Sequence, residues 1–256
     1  MRKPITKGIK NIIESVFKYD VVKDSIGSIQ EKIITKIDKQ GRIIKISKQD
    51  SNEYDEFETS IYKYDNQDRK IEKLKYDIYD SLIVKTIYEY DVKGYLVKKY
   101  FVDSRGNPCN YPELNITKEI FKYDSKEKLI EEKYFDINGK VDFHYEYIYD
   151  SDEKLIIKSD LINRWETKTI YDTEGNIIEE KDLDEDGLLM NNYFYKYNNE
   201  GTLLYDKIVS NVDDYFFKKE SFFKYDSKNR IKEIKNINQM SKRKFDRISL
   251  YDYEEY

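Results

Sequence analysis

The hydrophobic and polar positions of this chain follow a pattern that recurs roughly every 26 residues. Most copies contain an aromatic residue, one variable residue, a tyrosine and an aspartate, and a branched aliphatic residue follows shortly afterwards. We call these four residues the tetrad, and the tyrosine in its third position the marker tyrosine. The marker tyrosines are Tyr64, Tyr90, Tyr123, Tyr149, Tyr171, Tyr197 and Tyr225, with Ile37 and Tyr251 in weaker copies at either end. This period predicts an array of one supersecondary unit whose function is a surface.

Each copy has the pattern of two strands and two turns. The aromatic residue and the tyrosine of the tetrad are two residues apart, so on a strand they face the same side. The aspartate that follows opens a turn, with glycine at the fourth position in Asp91–Gly94 and Asp172–Gly175, as a type I turn followed by a left-handed residue prefers. Other copies have a different residue in place of that glycine: Asp68, Glu127, Glu153 and Asn229. Second turns of similar chemistry are predicted to begin at Asp103, Asp136 and Asp184.

These units predict an all-β fold, a meander of antiparallel β-hairpins over residues 31–256 with on the order of 16 strands. An open sheet of that size usually curls, splits or closes. Three arrangements fit the periodicity: an extended twisted sheet, a wide barrel, or one wrap of a spiral shell.

The N-terminal segment departs from the repeat. Apolar residues recur there at the spacing of an amphipathic helix, at Ile5, Ile9, Ile12, Ile13, Val16 and Phe17. We therefore expect a short helix within residues 1–30, which caps the end of the array as repeat proteins require. A helix that binds a partner or a membrane surface is the alternative, because Lys3, Lys7 and Lys10 give it a modest basic face.

The tetrads resemble those of the Rhs/YD-repeat class, whose pattern is aromatic-x-Tyr-Asp-x-x-Gly-x-Leu. The resemblance is carried by YEYDVKGYLV at 88–97, TIYDTEGNII at 169–178 and YKYNNEGTLL at 195–204, and it extends in weaker form over most of residues 33–256. It implies β-strand repeats of the kind that wind into shells in large bacterial surface and toxin-delivery proteins, some of them described as carbohydrate-binding. Several copies lack the glycine, and because the repeat runs to YDYEEY we expect no toxin domain.

Composition limits the classes of function. With 26 tyrosines, much of the buried area must come from tyrosine rings. Acidic residues outnumber basic ones by 51 to 46 and alternate with them, so we expect no nucleic-acid partner. The one cysteine, Cys109, cannot form an internal disulfide bond. Because no signal peptide and no apolar run of about 18 residues is visible, the sequence predicts a cytoplasmic protein with no membrane span.

Few residues suggest chemistry. The one histidine, His144, lies two positions from Asp142 and Glu146, a spacing that could form a metal or acid-base site on a strand, although isolated histidines more often pack or lie on the surface. Cys109 follows Pro108 in an insert between repeats, and no second histidine is available to activate its thiol. We therefore predict no catalytic, metal or cofactor-binding residue, and no enzymatic activity.

Two further motifs have a simple structural interpretation beside a functional one. Asp182, Asp184 and Asp186 match the start of a calcium loop, but Tyr193 stands where such a loop needs a bidentate glutamate, so an acidic hairpin turn is favoured. Trp165, beside Arg164, would be a binding hot spot if exposed and ordinary packing if buried, and we favour packing.

The sequence therefore favours a binding module. The leading hypothesis is a bacterial protein-protein interaction protein related to toxin and immunity repeat systems, with a protein partner. The alternative is carbohydrate binding by rows of tyrosine rings, which solvent-exposed rings would favour and rings packed between layers would exclude.

Overall fold

The computed structural model describes residues 8–20, 23, 25–50, 58–112, 114–212, 215–240 and 243–255. Within these ranges the chain forms eighteen β-strands and no helix. The strands are β1 (Ile9–Asp20), β2 (Ser25–Ile37), β3 (Ile43–Asp50), β4 (Glu58–Tyr64), β5 (Lys70–Tyr76), β6 (Leu82–Tyr90), β7 (Leu96–Val102), β8 (Lys118–Tyr123), β9 (Leu129–Phe135), β10 (Val141–Tyr149), β11 (Leu155–Asp160), β12 (Trp165–Tyr171), β13 (Ile177–Leu183), β14 (Leu189–Tyr197), β15 (Leu203–Val212), β16 (Tyr215–Tyr225), β17 (Ile231–Met240) and β18 (Arg243–Glu255).

Residues 57–167 form one of two compact units. Its strands β4 to β11 pair in chain order, and every pairing is antiparallel. The prediction of an all-β antiparallel meander is confirmed in this unit, because each strand pairs with the strand that precedes it.

Residues 1–56 and 168–256 form the second unit. Strands β13 to β18 pair in chain order here, and β2 pairs with β3. Strand β1 pairs on one side with β18 and on the other with β2. The first described strand thus lies between the last strand and the second, so this unit depends on both ends of the chain.

The predicted N-terminal helix is wrong over the described residues. Residues Ile9–Asp20 are strand β1, and Ile5 lies outside the described part of the chain. The helical spacing arose from apolar residues on both faces of a strand, and Ile9 and Val16 are buried there. Branched side chains such as isoleucine and valine favour strands, and pairing on both sides supplies the hydrogen bonds that a helix would make internally.

The predicted turns have one geometry throughout the described units. In the turn at Asp91, the N–H of Asp91 donates to the carbonyl of Tyr95, and the N–H of Gly94 donates back to the carbonyl of Asp91. The carboxylate of Asp91 also accepts the N–H groups of Lys93 and Tyr95, at 2.9 and 2.8 Å. The fourth residue has a positive φ, which glycine adopts most easily. The residues that replace glycine take the same conformation, with φ of 61° at Asp68, 69° at Glu127, 63° at Glu153 and 58° at Asn229.

The marker tyrosines bind neighbouring repeats together. The hydroxyl of Tyr90 donates to the carbonyl of Lys70 at 2.7 Å, and Lys70 is the first residue of the strand after the preceding turn. Tyr123, Tyr149 and Tyr225 make the same bond to the carbonyls of Leu96, Leu129 and Leu203. At the C-terminus the bond is made by Tyr253, which reaches Ile231, and not by Tyr251, so the last copy is offset by two residues from the sequence alignment.

The two sheet faces differ in what they carry. In residues 57–167 the tetrad aromatics share a face with a cluster of buried apolar residues formed by Val84, Phe101 and Ile116. The other face carries cross-strand ion pairs, such as Lys63–Glu72 and Lys85–Glu72, both 2.7 Å long. We call these faces the tyrosine face and the ion-pair face of this unit.

Replacing Tyr90 by phenylalanine tests the inter-repeat hydrogen bond. The change keeps the ring but leaves the carbonyl of Lys70 without this donor, and we expect a loss of about 1 kcal/mol in the free energy of unfolding. Urea denaturation measures it. Tyr79→Phe is the matched control, since this side chain is 74% exposed and should show no change. Equal effects of the two substitutions would contradict a structural role for the bond.

The aspartate turns predict a loss of stability in acid. The pKa of Asp103 is lowered because the backbone N–H and side-chain amide of Asn107 donate to it, and the pKa of Asp172 is lowered chiefly by the side-chain amide of Asn176. The unfolded chain therefore binds more protons, so this stability is present above the unfolded pKa of about 3.9 and is lost as the pH falls through the folded pKa. Urea midpoints should fall as the pH drops below about 5. An amide should serve in the same place, as Asn198 does, so Asp103→Asn should reduce the acid dependence; an unchanged dependence would contradict this origin.

Candidate functional site: a lysine-tyrosine patch

A charged residue recurs at one position of the repeat, which in residues 57–167 lies on the tyrosine face. Nine residues after the marker tyrosine, successive copies carry Lys73, Lys99, Glu132, Lys158, Glu180 and Asp206. The register places this residue opposite the first residue of the tetrad, as in Tyr62 opposite Lys73 and Tyr88 opposite Lys99. Sequence reasoning missed this row, although aligning the copies by their marker tyrosines would have exposed it. The row alternates aromatic rings with charges whose sign changes along the array.

Three lysines of this face lie close together among tyrosine rings in residues 57–167. The Nζ of Lys70 is 4.5 Å from the centroid of the Tyr62 ring and 5.8 Å from that of Tyr88. Lys70 reaches this face because a β-bulge at the start of β5 places it opposite Tyr64. We define the lysine-tyrosine patch by its six residues: Lys70, Lys73, Lys99, Tyr62, Tyr88 and Tyr111.

The insert between repeats completes the patch. The ring of Tyr111 packs against Phe101 with centroids 5.0 Å apart, and its hydroxyl lies 3.5 Å from the Nζ of Lys73. Tyr111 is held because its N–H donates to the carbonyl of Ile116, a residue that is 1% exposed. The buried cluster beneath the insert thus fixes one wall of the patch.

The electrostatics of the patch favour an anion. The pKa of Lys70 is lowered by burial and by the positive charges of Lys73 and Lys99. Among the described residues, no carboxylate forms an ion pair with Lys70 or Lys73. An acidic ligand would relieve this repulsion, and it would favour the charged form of each lysine.

Lys99 has a carboxylate partner within the protein. It forms an ion pair with Glu119, which is 4% exposed. Burial raises the pKa of Glu119, and Lys99 only partly opposes that shift. Glu132 lies beyond Glu119 on the same face and accepts the hydroxyl of Tyr134 at 2.9 Å. A basic region is therefore followed by an acidic one along this face.

The structure brings His144 together with only one of the two acidic residues that the sequence placed beside it. His144 lies on the ion-pair face, where its Nε2 is 2.8 Å from a carboxylate oxygen of Glu131, and Glu146 is on the same face. Asp142 instead pairs with Lys140, at 3.5 Å.

Cys109 and Trp165 both pack against neighbouring side chains. Cys109 lies against the cluster of Val84, Phe101 and Ile116, and burial raises the pKa of its thiol. Trp165 packs against Tyr145 on the tyrosine face, with centroids 5.9 Å apart, and is half-buried.

The acidic run at Asp182, Asp184 and Asp186 forms the predicted hairpin turn. Asp184 accepts the N–H groups of Asp186 and Leu188, at 3.0 and 2.8 Å. Asp182 accepts the hydroxyl of Tyr193 at 3.0 Å. Two of the three carboxylates therefore already hold the hairpin.

The comparisons with known proteins identify no family. No protein-family model and no curated protein matches the chain. A porin-like protein from Bacteroides uniformis is matched over 97% of this chain and 99% of its own, at 12% identity and a TM-score of 0.49. A complex of TcdB2, TccC3 and Cdc42 is matched over 90% of this chain and 16% of its own, at 10% identity and a TM-score of 0.41. The Photorhabdus luminescens Tc holotoxin pore is matched over 86% of this chain and 15% of its own, at 12% identity and a TM-score of 0.32.

Two sequence predictions are wrong, those of a cytoplasmic location and of no membrane span. One matched solved structure, covered over 99% of its own length, is that of a porin-like protein. The prediction of no membrane span depended on the lack of a long apolar run, and that criterion detects helical spans alone. Strands cross a bilayer with about 9–11 residues of alternating polarity, which such a search does not find.

No described segment forms a helix with the length and apolar character of a membrane span. The repeated antiparallel β-structure that the Rhs/YD-repeat resemblance implied is present in both units.

The ion pair between Lys99 and Glu119 predicts that the effect of replacing Lys99 on stability depends on whether Glu119 is present. Lys99→Met leaves a buried carboxylate without its cation and should lower the free energy of unfolding by roughly 3 kcal/mol. Replacing both residues by methionine should restore stability to within about 1 kcal/mol of the wild type. Lys98→Met is the matched control on the neighbouring position, where the pair with Glu89 is exposed and should contribute less than about 1 kcal/mol. Urea denaturation of the four proteins checks this, and a double variant no more stable than Lys99→Met would contradict it.

Proposed function

We propose that this chain is a non-enzymatic protein-binding module, and that its lysine-tyrosine patch binds an acidic segment of a partner protein. The observation that supports this most strongly is the pair of ammonium groups at Lys70 and Lys73, which lie among tyrosine rings without a carboxylate partner in the described residues. Tyrosine is one of the side chains that protein-protein hot spots favour. The chain carries a net charge of −5, so an acidic ligand must be attracted locally.

The ring contacts favour a protein partner over a carbohydrate. Sugars stack on the flat face of an aromatic ring, whereas many ring faces here already lie against a cation. The Nζ of Lys158 is 4.0 Å from the centroid of Tyr145, and the Nζ of Lys98 is 4.7 Å from that of Tyr100. A cation-π contact is worth about 0.5–1 kcal/mol at exposed sites, which a stacked sugar would have to replace.

Carbohydrate binding remains the second candidate, at another part of the sheet. Tyr193 and Tyr195 lie two residues apart on one face of β14, and their hydroxyls donate to Asp182 and Glu180 at 3.0 and 2.7 Å. Carboxylates beside aromatic rings accept hydrogen bonds from sugar hydroxyls, and such charge-assisted bonds are strong.

The absence of catalysis is part of the same proposal. Burial raises the pKa of the Cys109 thiol, which disfavours the thiolate that a nucleophile needs. We also retain the proposed relation to toxin and immunity repeat systems, which the tetrads alone support.

Binding of a fluorescent oligoglutamate peptide to the whole chain tests the proposal. We expect measurable affinity at low salt that falls as salt rises, because charge pairing drives the association. The double variant Lys70→Met/Lys73→Met should weaken binding by about tenfold, equal to roughly 1.4 kcal/mol. Lys63→Met/Lys85→Met is the matched control. It also removes two positive charges, but from the ion-pair face, on the strands β4 and β6 that flank β5.

The outcomes separate the candidates. Equal weakening in the two double variants, or no binding by the wild type, would contradict the patch as an acidic-peptide site. If the wild type binds a glycan on an array and the double variant Tyr193→Ala/Tyr195→Ala does not, the second candidate would instead be favoured.

A further inference from the structure

A cluster with the donor set of a metal site lies on the ion-pair face, away from the lysine-tyrosine patch. It consists of Glu131 on β9 and of His144 and Glu146 on β10. One donor atom from each residue lies within 4.8 Å of the other two. The Nε2 of His144 is already 2.8 Å from an oxygen of Glu131. Glu131 and His144 are partly buried, and Glu146 is exposed.

The register shows that this cluster departs from the pattern of its face. At several positions of the face, residues directly opposite each other carry opposite charge, as in Lys63 opposite Glu72 and Glu89 opposite Lys98. Glu131 lies directly opposite Glu146 across β9 and β10. Like charges in that position destabilise a sheet, and a bound cation would remove the repulsion.

We propose that Glu131, His144 and Glu146 bind a divalent transition-metal ion of the Zn²⁺ class. An imidazole nitrogen and two carboxylate oxygens suit such ions, with bonds of about 2.0–2.2 Å and a water in the fourth position. Tetrahedral bonds of that length separate donor atoms by roughly 3.3 Å. Donor atoms that now lie within 4.8 Å of one another must therefore draw together, while the His144–Glu131 pair must open from 2.8 Å. The exposed carboxylate of Glu146 can move by side-chain rotation. The site links two strands and does not depend on the proposed protein-binding function.

Two lysines would compete with the metal. The Nζ of Lys133 is 2.5 Å from the same Glu131 oxygen that His144 contacts, and Lys122 is 4.0 Å from the other oxygen. A metal must displace the ammonium of Lys133, which predicts that removal of this lysine tightens metal binding.

Titration of the whole chain with Zn²⁺ alone by isothermal calorimetry tests the site, and cobalt absorption spectra report its coordination. We expect one site in the wild type, weakened by about tenfold or more in His144→Gln and in Glu146→Gln. Lys133→Met should bind Zn²⁺ several-fold more tightly. Asp142→Asn is the matched control, because this carboxylate pairs with Lys140 outside the cluster and its loss should leave affinity unchanged.

Circular dichroism of each variant checks that the fold is kept. The proposal is overturned if the wild type does not bind Zn²⁺, or if His144→Gln binds it as tightly as the wild type. It is also overturned if Asp142→Asn and His144→Gln weaken binding equally, since that would indicate diffuse attraction to carboxylates.

Discussion

Strand register is the constraint on which the rest of this structure depends. In residues 57–167, successive residues of a strand point to the tyrosine face and to the ion-pair face in turn. A slip of one residue would therefore move every side chain of a strand to the other face. The tetrad fixes the register from both ends. Its aspartate closes the following turn through backbone N–H groups, and its marker tyrosine reaches the carbonyl that follows the preceding turn, as Tyr90 reaches Lys70. These hydrogen bonds align one copy with the next, and the side chains that make them are then not available to bind a ligand.

The repeat therefore contains positions that maintain the structure and other positions that can carry a function. The turn aspartates and the marker tyrosines Tyr90, Tyr123, Tyr149 and Tyr225 make structural hydrogen bonds. The residue nine positions after the marker instead changes its charge from copy to copy. Lysines at two successive copies, Lys73 and Lys99, form the patch when Lys70 joins them across a bulge. On the opposite face, a departure from Lys–Glu alternation brings Glu131 and Glu146 together beside His144. Both sites thus arise where the repeats differ.

Much of the fold followed from local chemistry, because tetrads and turns are short-range signals. The left-handed residue predicted at the glycine copies also occurs where Glu127 or Asn229 replaces glycine, although the sequence made the turn less favourable there. The N-terminal helix failed because Ile9 and Val16 are spaced as in a helix but are stabilised by pairing with β18, which lies at the far end of the chain. The sites were missed for a related reason. His144 was considered with Asp142 and Glu146, whereas its closest carboxylate, Glu131, is on another strand and becomes a neighbour only through the register.

Cross-strand amide contacts measured by NMR on deuterated, amide-protonated protein would test the register most directly. The structure requires contacts that place Lys99 opposite Glu119 and Glu131 opposite Glu146. Finding these pairs would support both faces and the sites built on them. Contacts displaced by one residue would put Lys73 and Lys99 on the other face from the tetrad aromatics, and would contradict the assignment of the lysine-tyrosine patch.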